Sequence, residues 1–123
     1  MKKILLVEDT PEALRTLKDF LQIEGYEVIT ATNGEEALSK FYLYTPNLVI
    51  TDLSMPKMDG FELLRKIKSD EALKSIPVIV FSANATAEYE KRSKALGAAA
   101  FLSKPTPVEK LLEHIETNIG NIS

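Results

Sequence analysis

Three acids, a serine and a lysine stand out in this 123-residue chain because each follows a short apolar run. Glu8 and Asp9 come after Ile4-Leu5-Leu6-Val7, and Asp52 after Leu48-Val49-Ile50-Thr51. Ser82 follows Pro77 to Phe81, and Lys104 follows Ala98 to Leu102 by two residues. Runs of this kind read as buried parallel strands. Polar chemistry placed behind them arrives at the carboxyl edge of a sheet, where open α/β sheets bind ligands. If the first and third strands are neighbours, the three carboxylates converge. Like charges in one cleft are unfavourable unless a cation neutralises them or their pKa values rise. An all-oxygen ligand set favours a hard divalent ion, Mg²⁺ first and Mn²⁺ as the alternative. Lys104 adds a fixed positive charge and Ser82 a hydroxyl. A metal, a lysine and a hydroxyl around one carboxylate match the apparatus that stabilises a transferring phosphoryl group. The carboxylate can itself be the nucleophile and form an acyl phosphate. Any one acid at a strand end is ordinarily a solvated loop residue or a helix cap. All five behind apolar runs in one chain are hard to explain that way.

The elements that must position them are legible in order. Lys2 to Val7 is predicted as the first strand, and Thr10-Pro11 as N-cap and first helical position. Ala13, Leu14, Leu17, Phe20 and Leu21 then recur at helical spacing up to Gly25. Tyr26 to Ala31 is the second strand. Asn33 with Glu36 starts a helix in capping-box fashion, Ala37, Leu38 and Phe41 form its apolar stripe, and Thr45-Pro46 ends it. After Asp52 come loop residues, Leu53 to Gly60, with Pro56 and Asp59-Gly60 as breakers. Phe61, Leu64 and Ile67 mark the third helix. Pro77 to Phe81 is apolar throughout and is predicted to be central. Thr86 to Leu96 is a polar helix closed by Gly97, and Ala98 to Leu102 is the fifth strand. Thr106-Pro107-Val108-Glu109 reads as a capping box, and Val108, Leu111, Leu112 and Ile115 as the last helix's buried stripe. Asn118 to Ser123 reads as a frayed end. Strands alternating with helices over short connections imply βαβ units in one α/β domain, residues 1–123, with helices on both faces of a parallel sheet.

Composition narrows the chemistry. The absence of Cys removes disulfides, thiolate catalysis and cysteine metal sites, and a single His removes multi-histidine sites. A net charge of −3 gives no broad footprint for nucleic acid or an acidic membrane. No apolar run approaches the roughly 20 residues of a membrane span. The basic opening Met1-Lys2-Lys3 is cut short by Glu8-Asp9, unlike a signal peptide, so a cytoplasmic location is expected. Met1 stands directly before the first strand, as at a natural amino terminus. Both a stand-alone domain and one cut from a longer protein fit the other end.

In these residues the chain resembles the receiver domain of two-component response regulators, of the single-receiver, chemotaxis-regulator type, along essentially its whole length. The resemblance is carried by Ile4 to Asp9, by Leu48 to Pro56 with Met58-Asp59-Gly60, by Pro77 to Ala83, and by Gly97-Ala98 through Lys104-Pro105. It implies a flavodoxin-like (βα)5 fold with strand order 2-1-3-4-5. Asp52 would be the phosphoacceptor, supplied by a sensor histidine kinase or phosphotransfer protein. Glu8, Asp9, Asp52 and the backbone carbonyl of Ser54 would hold the metal. Lys104 would pair with a phosphoryl oxygen, Ser82 would move to hydrogen-bond the group, and Phe101 would turn inward behind it. Pro105 would follow a cis peptide bond, and Gly60 would be structural. Ser54, Ala83 and Asn84 would tune hydrolysis. The surface formed by helix 4, strand 5 and helix 5 would switch towards a downstream target or an output domain outside this chain, with the protein a monomer or a phosphorylation-dependent dimer. Ser82 stands where Thr is frequent and keeps the hydroxyl. Phe101 stands where Tyr is frequent and lacks the phenolic hydrogen bond.

Two other readings fit less well. An aspartyl-phosphate phosphatase usually carries a second acid two residues after its nucleophile, where this chain has Ser54. A flavin module of the same sheet order needs a hydroxyl- and Gly-rich phosphate loop after the first strand, where Glu8-Asp9-Thr10-Pro11 would repel a phosphate without a metal. His114, in the second half of the last helix, is expected to be remote from the strand ends. The polar helix with Glu88, Tyr89, Lys91, Arg92 and Lys94 is either a solvated face or part of an output surface.

Overall fold

The computed structural model describes residues 2–55, 57–84 and 86–119. Strands β1 (Lys3–Val7), β2 (Glu27–Ala31), β3 (Leu48–Thr51), β4 (Val78–Ser82) and β5 (Ala100–Ser103) alternate with helices α1 (Pro11–Ile23), α2 (Gly34–Tyr44), α3 (Gly60–Ser69), α4 (Ala87–Ala95) and α5 (Val108–Ile119). Every pairing is parallel and the order is β2-β1-β3-β4-β5. The doubly wound sheet expected from the sequence is therefore present. β3 holds the middle position, and β4 is an interior strand beside it rather than the central one.

The apolar runs are continuous because both faces of the inner strands are covered. Leu5, Val7, Val49 and Val78 pack with Ala37 and Phe41 of α2 and Leu63, Leu64 and Ile67 of α3. Ile4, Leu6, Leu48, Ile50 and Ile79 pack on the other face with Leu21 of α1 and Leu111 and Ile115 of α5. A third cluster, Leu53, Phe61 and Val80, is bordered by Tyr89, Leu96 and Phe101. It joins the carboxyl end of the sheet to α3 and α4.

Several helix starts differ from expectation. Asn33 caps Glu36 N at 2.9 Å as predicted, but the Glu36 carboxylate reaches back to Thr32 N at 2.6 Å rather than to the cap residue. Thr10 occupies the N-cap of α1 without a side-chain cap bond. Its own N–H donates to Glu8 Oε2 at 3.1 Å. Thr106 gives its hydroxyl to the Ser103 carbonyl, and α5 starts at Val108, so the predicted capping box is not formed. β5 starts two residues later than expected, since Ala98 N is still engaged by Ser93 O at the end of α4. Asn118 and Ile119 are the last residues of α5 rather than a frayed end, Asn118 Nδ2 donating to His114 O at 2.7 Å. Residues 120–123 and Pro56 lie outside the described residues.

Helix α4 is the least apolar of the five, and its one buried residue is Ser93. The Ser93 hydroxyl is fully buried with no hydrogen-bond partner among the described residues. A buried donor left unpaired loses its hydration without compensation, and Ala is also the better helix former. Ser93→Ala is therefore expected to stabilise the chain by about 1 kcal/mol, read as a raised urea midpoint with an unchanged slope.

Candidate functional site

The site forms where β1, β3, β4 and β5 end. Val7 pairs with Thr51, and Asp52 N donates to Val7 O at 3.2 Å, which sets Asp52 beside the exit of β1. Glu8 leaves β1 with its N–H on Ala31 O at 3.0 Å. Lys104 leaves β5 with its N–H on Ser82 O at 3.0 Å, so the ends of β4 and β5 are tied together. The Lys104–Pro105 peptide is cis, as the resemblance implies.

Lys104 Nζ lies between two carboxylates. It is hydrogen-bonded to Glu8 Oε1 and sits 3.2 Å from Asp52 Oδ2. Asp52 Oδ1 accepts from Leu53 N at 2.6 Å, so both oxygens of the carboxylate are held and its direction is fixed. The lysine amine is 5.4 Å from the Phe81 ring centroid. Burial alone pulls the Lys104 ammonium towards the neutral form. The hydrogen bond to Glu8 and the charges of Asp52 and Glu8 outweigh that, so Lys104 sits above the ordinary lysine value.

Of the residues expected here, Glu8, Asp52 and Lys104 are in direct contact, and Glu8 is buried. Asp9 is exposed. Both acids lie past the end of β1, and of the two only Glu8 is buried. Among the described residues no group of three acidic or His side chains gathers closely enough to hold a metal ion. The expected three-carboxylate convergence is thus replaced by two carboxylates sharing an ammonium. The donor types still fit a hard divalent ion, with Glu8 and Asp52 at adjacent strand ends, Asp9 next in sequence and backbone carbonyls of the loop after β3 nearby.

Ser82 is the last residue of β4 rather than a loop residue, and it is fully buried. Its Oγ accepts from Asn84 N at 3.1 Å. Asn84 Nδ2 in turn donates to Ser54 Oγ at 2.5 Å. This links the loops after β3 and β4 in a way that sequence spacing does not announce. Ala83 is exposed beside it. Phe101 is half-buried against the cluster of Leu53, Phe61 and Val80. His114 lies on α5 and takes no part in the site, as expected.

Two contacts that spacing alone does not reveal fix the loop behind Asp52. Met58 is buried against Gly34, where an added Cβ would lie 2.7 Å from Met58 Cβ. Gly60 starts α3 directly over Asp52, with its N–H on Leu53 O at 2.9 Å. The visible signal is the Asp59-Gly60 pair, whose Asp caps Glu62 N at 2.9 Å. An apolar groove of about 390 Å³ between α1 and α5, walled by Leu17 and Val108 and floored by Phe81, opens beside Glu8 and Lys104.

A doubly wound sheet of order 2-1-3-4-5 with an acid pair and a lysine at its carboxyl edge defines a class of signalling receiver. The family model for the response regulator receiver domain matches residues 4–116, and the chain belongs to that family. The polar-differentiation response regulator DivK of Brucella anthropi is 33% identical over 120 residues, with 98% of each chain covered. The signal receiver domain of a signal transduction histidine kinase from Syntrophus aciditrophicus superposes with a TM-score of 0.90 at 35% identity, covering 97% of this chain and 90% of that one. The chemotaxis response regulator CheY4 of Vibrio cholerae gives 0.88 at 33% identity, with 95% and 98% covered. Among the described residues no helix is long and apolar enough to cross a membrane.

Proposed function

We propose that the chain, as one receiver domain over residues 1–123, accepts a phosphoryl group on Asp52 from a sensor histidine kinase or phosphotransfer protein and is a switch rather than a turnover enzyme. The observation that carries this is the carboxylate of Asp52, held by Leu53 N on one oxygen and by the Lys104 ammonium on the other, at the carboxyl edge of the central strand. Attack by an Asp52 oxygen forms an O–P bond while the N–P bond of the donor phosphohistidine breaks, and its electron pair leaves with the imidazole. Lys104 stays beside the oxygen charge that builds on the phosphoryl group. Glu8, Asp9, Asp52 and the Ser54 carbonyl are the residues that would hold Mg²⁺ or Mn²⁺. When bound, that ion supplies charge neutralisation for the phosphoryl oxygens. Among the described residues the Ser82 oxygen only accepts, from Asn84 N, so its hydroxyl has a proton left to donate. Donating it to a phosphoryl oxygen would draw the loop after β4 inward, and Phe101 would follow. That would re-form the surface of α4, β5 and α5 for a downstream protein. The Ser54–Asn84 bond spans the two loops and would bear on how readily water reaches the acyl phosphate.

Acetyl phosphate with Mg²⁺ tests the reading. Intact mass spectrometry should show a single phosphoryl adduct on the wild type and none on Asp52→Asn. An adduct of equal yield on Asp52→Asn would reject Asp52 as the acceptor.

A further inference from the structure

The guanidinium of Arg92 lies over the ring of Phe61, its carbon 4.0 Å from the ring centroid. The edge of the same ring meets Tyr89, centroids 5.3 Å apart and planes at 81°. Arg92 and Tyr89 belong to α4 and Phe61 to α3. Phe61 shares a buried cluster with Val80 and with Leu53, which directly follows Asp52, and the half-buried Phe101 packs against that cluster. The ring thus belongs to the same buried cluster as the residue after Asp52 and is in contact with α4.

Little else attaches α4 to the domain. The residues that face inward from this helix are Tyr89, Ser93 and Leu96, spaced as one helical face. The middle position, where a Leu or Ile would anchor the helix, is a serine with an unpaired buried hydroxyl. Its ion pair, Lys94 to Glu90 at 3.3 Å, lies within the helix and is exposed, so it holds nothing across. Asp59, Glu62 and Arg65 line the cleft between α3 and α4 with Arg92, but none forms a salt bridge to it among the described residues. Beside the edge contact of Tyr89, the stack of Arg92 on Phe61 is therefore the polar contact that ties α4 to α3.

We propose that Arg92 is a positioning residue, a latch that through Phe61 holds α4 in the arrangement of the unphosphorylated chain and thereby sets how far the switch lies from its other state. The proposal rests on the reading of Asp52 as the phosphoacceptor. A cation over a ring is attracted only while it stays within about 6 Å of the centroid. Movement of Leu53 or Phe101 after the charge at Asp52 changes would shift Phe61 and release the stack. A ligand moves an equilibrium by its differential affinity for the two states, and the coupling is reciprocal. Weakening the latch must therefore favour phosphoryl binding as well as free the helix.

Arg92→Met keeps the aliphatic stem and removes the cation, and Arg92→Lys restores a charge without the flat face. Amide hydrogen exchange of residues 88–96 without phosphodonor should quicken about 3- to 10-fold in Arg92→Met, the range of a partly exposed cation–π contact. It should quicken less in Arg92→Lys. The affinity for beryllofluoride with Mg²⁺, a phosphoryl mimic, should tighten by a similar factor. A merely structural role would loosen α4 and leave that affinity unchanged or weaker, which overturns the latch. Unchanged exchange in α4 overturns it too. If the wild type takes no phosphoryl group at Asp52, the reading of the site fails and the coupling goes with it. A wild-type adduct with unaltered exchange in Arg92→Met leaves the site reading intact and rejects the latch alone.

Discussion

Lys104→Met is expected to lower the unfolding free energy by about 3 kcal/mol at neutral pH, the low end for breaking a buried ion pair. Glu8 and Asp52 share the one ammonium, and their side chains are only 7% and 13% exposed. Methionine keeps the length of the stem beside Phe81, so the loss is one of charge rather than packing. Two carboxylates would remain in one cleft, each deprived of its counter-charge. The low end applies because 26% of the lysine side chain still meets water, which screens part of the pair. Asp52→Asn should behave differently. It leaves Glu8 and Lys104 paired one to one, and the amide oxygen still accepts from Leu53 N, so stability should move by less than about 1 kcal/mol. Urea titrations of the three proteins separate the cases. Equal losses in both variants would mean that the cluster is not organised around a shared ammonium.

The same contact gives a pH dependence of definite sign. The folded value of Lys104 is raised above the ordinary lysine value of 10.5. A raised lysine contributes stability that is complete below its unfolded value and is lost as pH climbs through the folded one. The gap between wild type and Lys104→Met should accordingly stay flat from neutrality to about pH 10 and narrow above 10.5.

The shape of the domain was legible because runs such as Ile4 to Val7 and Leu48 to Thr51 are too apolar and too short for anything but covered strands. Asp52 and Lys104 were legible for the same reason, since a strand end leaves a polar residue few other places to go. Side chains with several equivalent partners were less so. Thr106 had a helix to cap but bonds the Ser103 carbonyl, and Glu36 reaches Thr32 rather than the cap residue. Both choices depend on where the preceding strand delivers the chain. Asp9 was expected beside Glu8 and Asp52, yet it is exposed just past the end of β1, where the conformation of the loop and not a strand pleat sets its direction. The stack of Arg92 on Phe61 joins two helices across an intervening strand, and the hydrophobic period of a polar helix carries no trace of it. The resemblance marks Gly60 as structural, but what its missing side chain makes room for is visible only in three dimensions.

At Gly60 that room decides the effect of a substitution. A Cβ there would lie 2.2 Å from the Asp52 carbonyl oxygen and 2.8 Å from Leu53 Cα. Both are backbone atoms, so neither can rotate aside. Helix propensity alone would favour alanine at this first position of α3 by about 1 kcal/mol, but the overlap decides the sign. Gly60→Ala should destabilise the chain by about 3 kcal/mol, the upper range of overpacking. Relief of the clash must lift α3 or push the carbonyl of Asp52, and either displaces the carboxylate from Lys104, now 3.2 Å away. Misplacing a reacting group by an ångström can slow a reaction by about 10²-fold. Adduct formation from acetyl phosphate should therefore fall well beyond what the lost stability explains. Gly97→Ala supplies the comparison. Gly97 has φ +105 and its nearest neighbour is the flexible stem of Lys68, so alanine there strains a turn remote from the site. That variant should lose about 1 kcal/mol or more and keep the wild-type rate. If Gly60→Ala also kept it, the close approach of α3 would not be what aims Asp52.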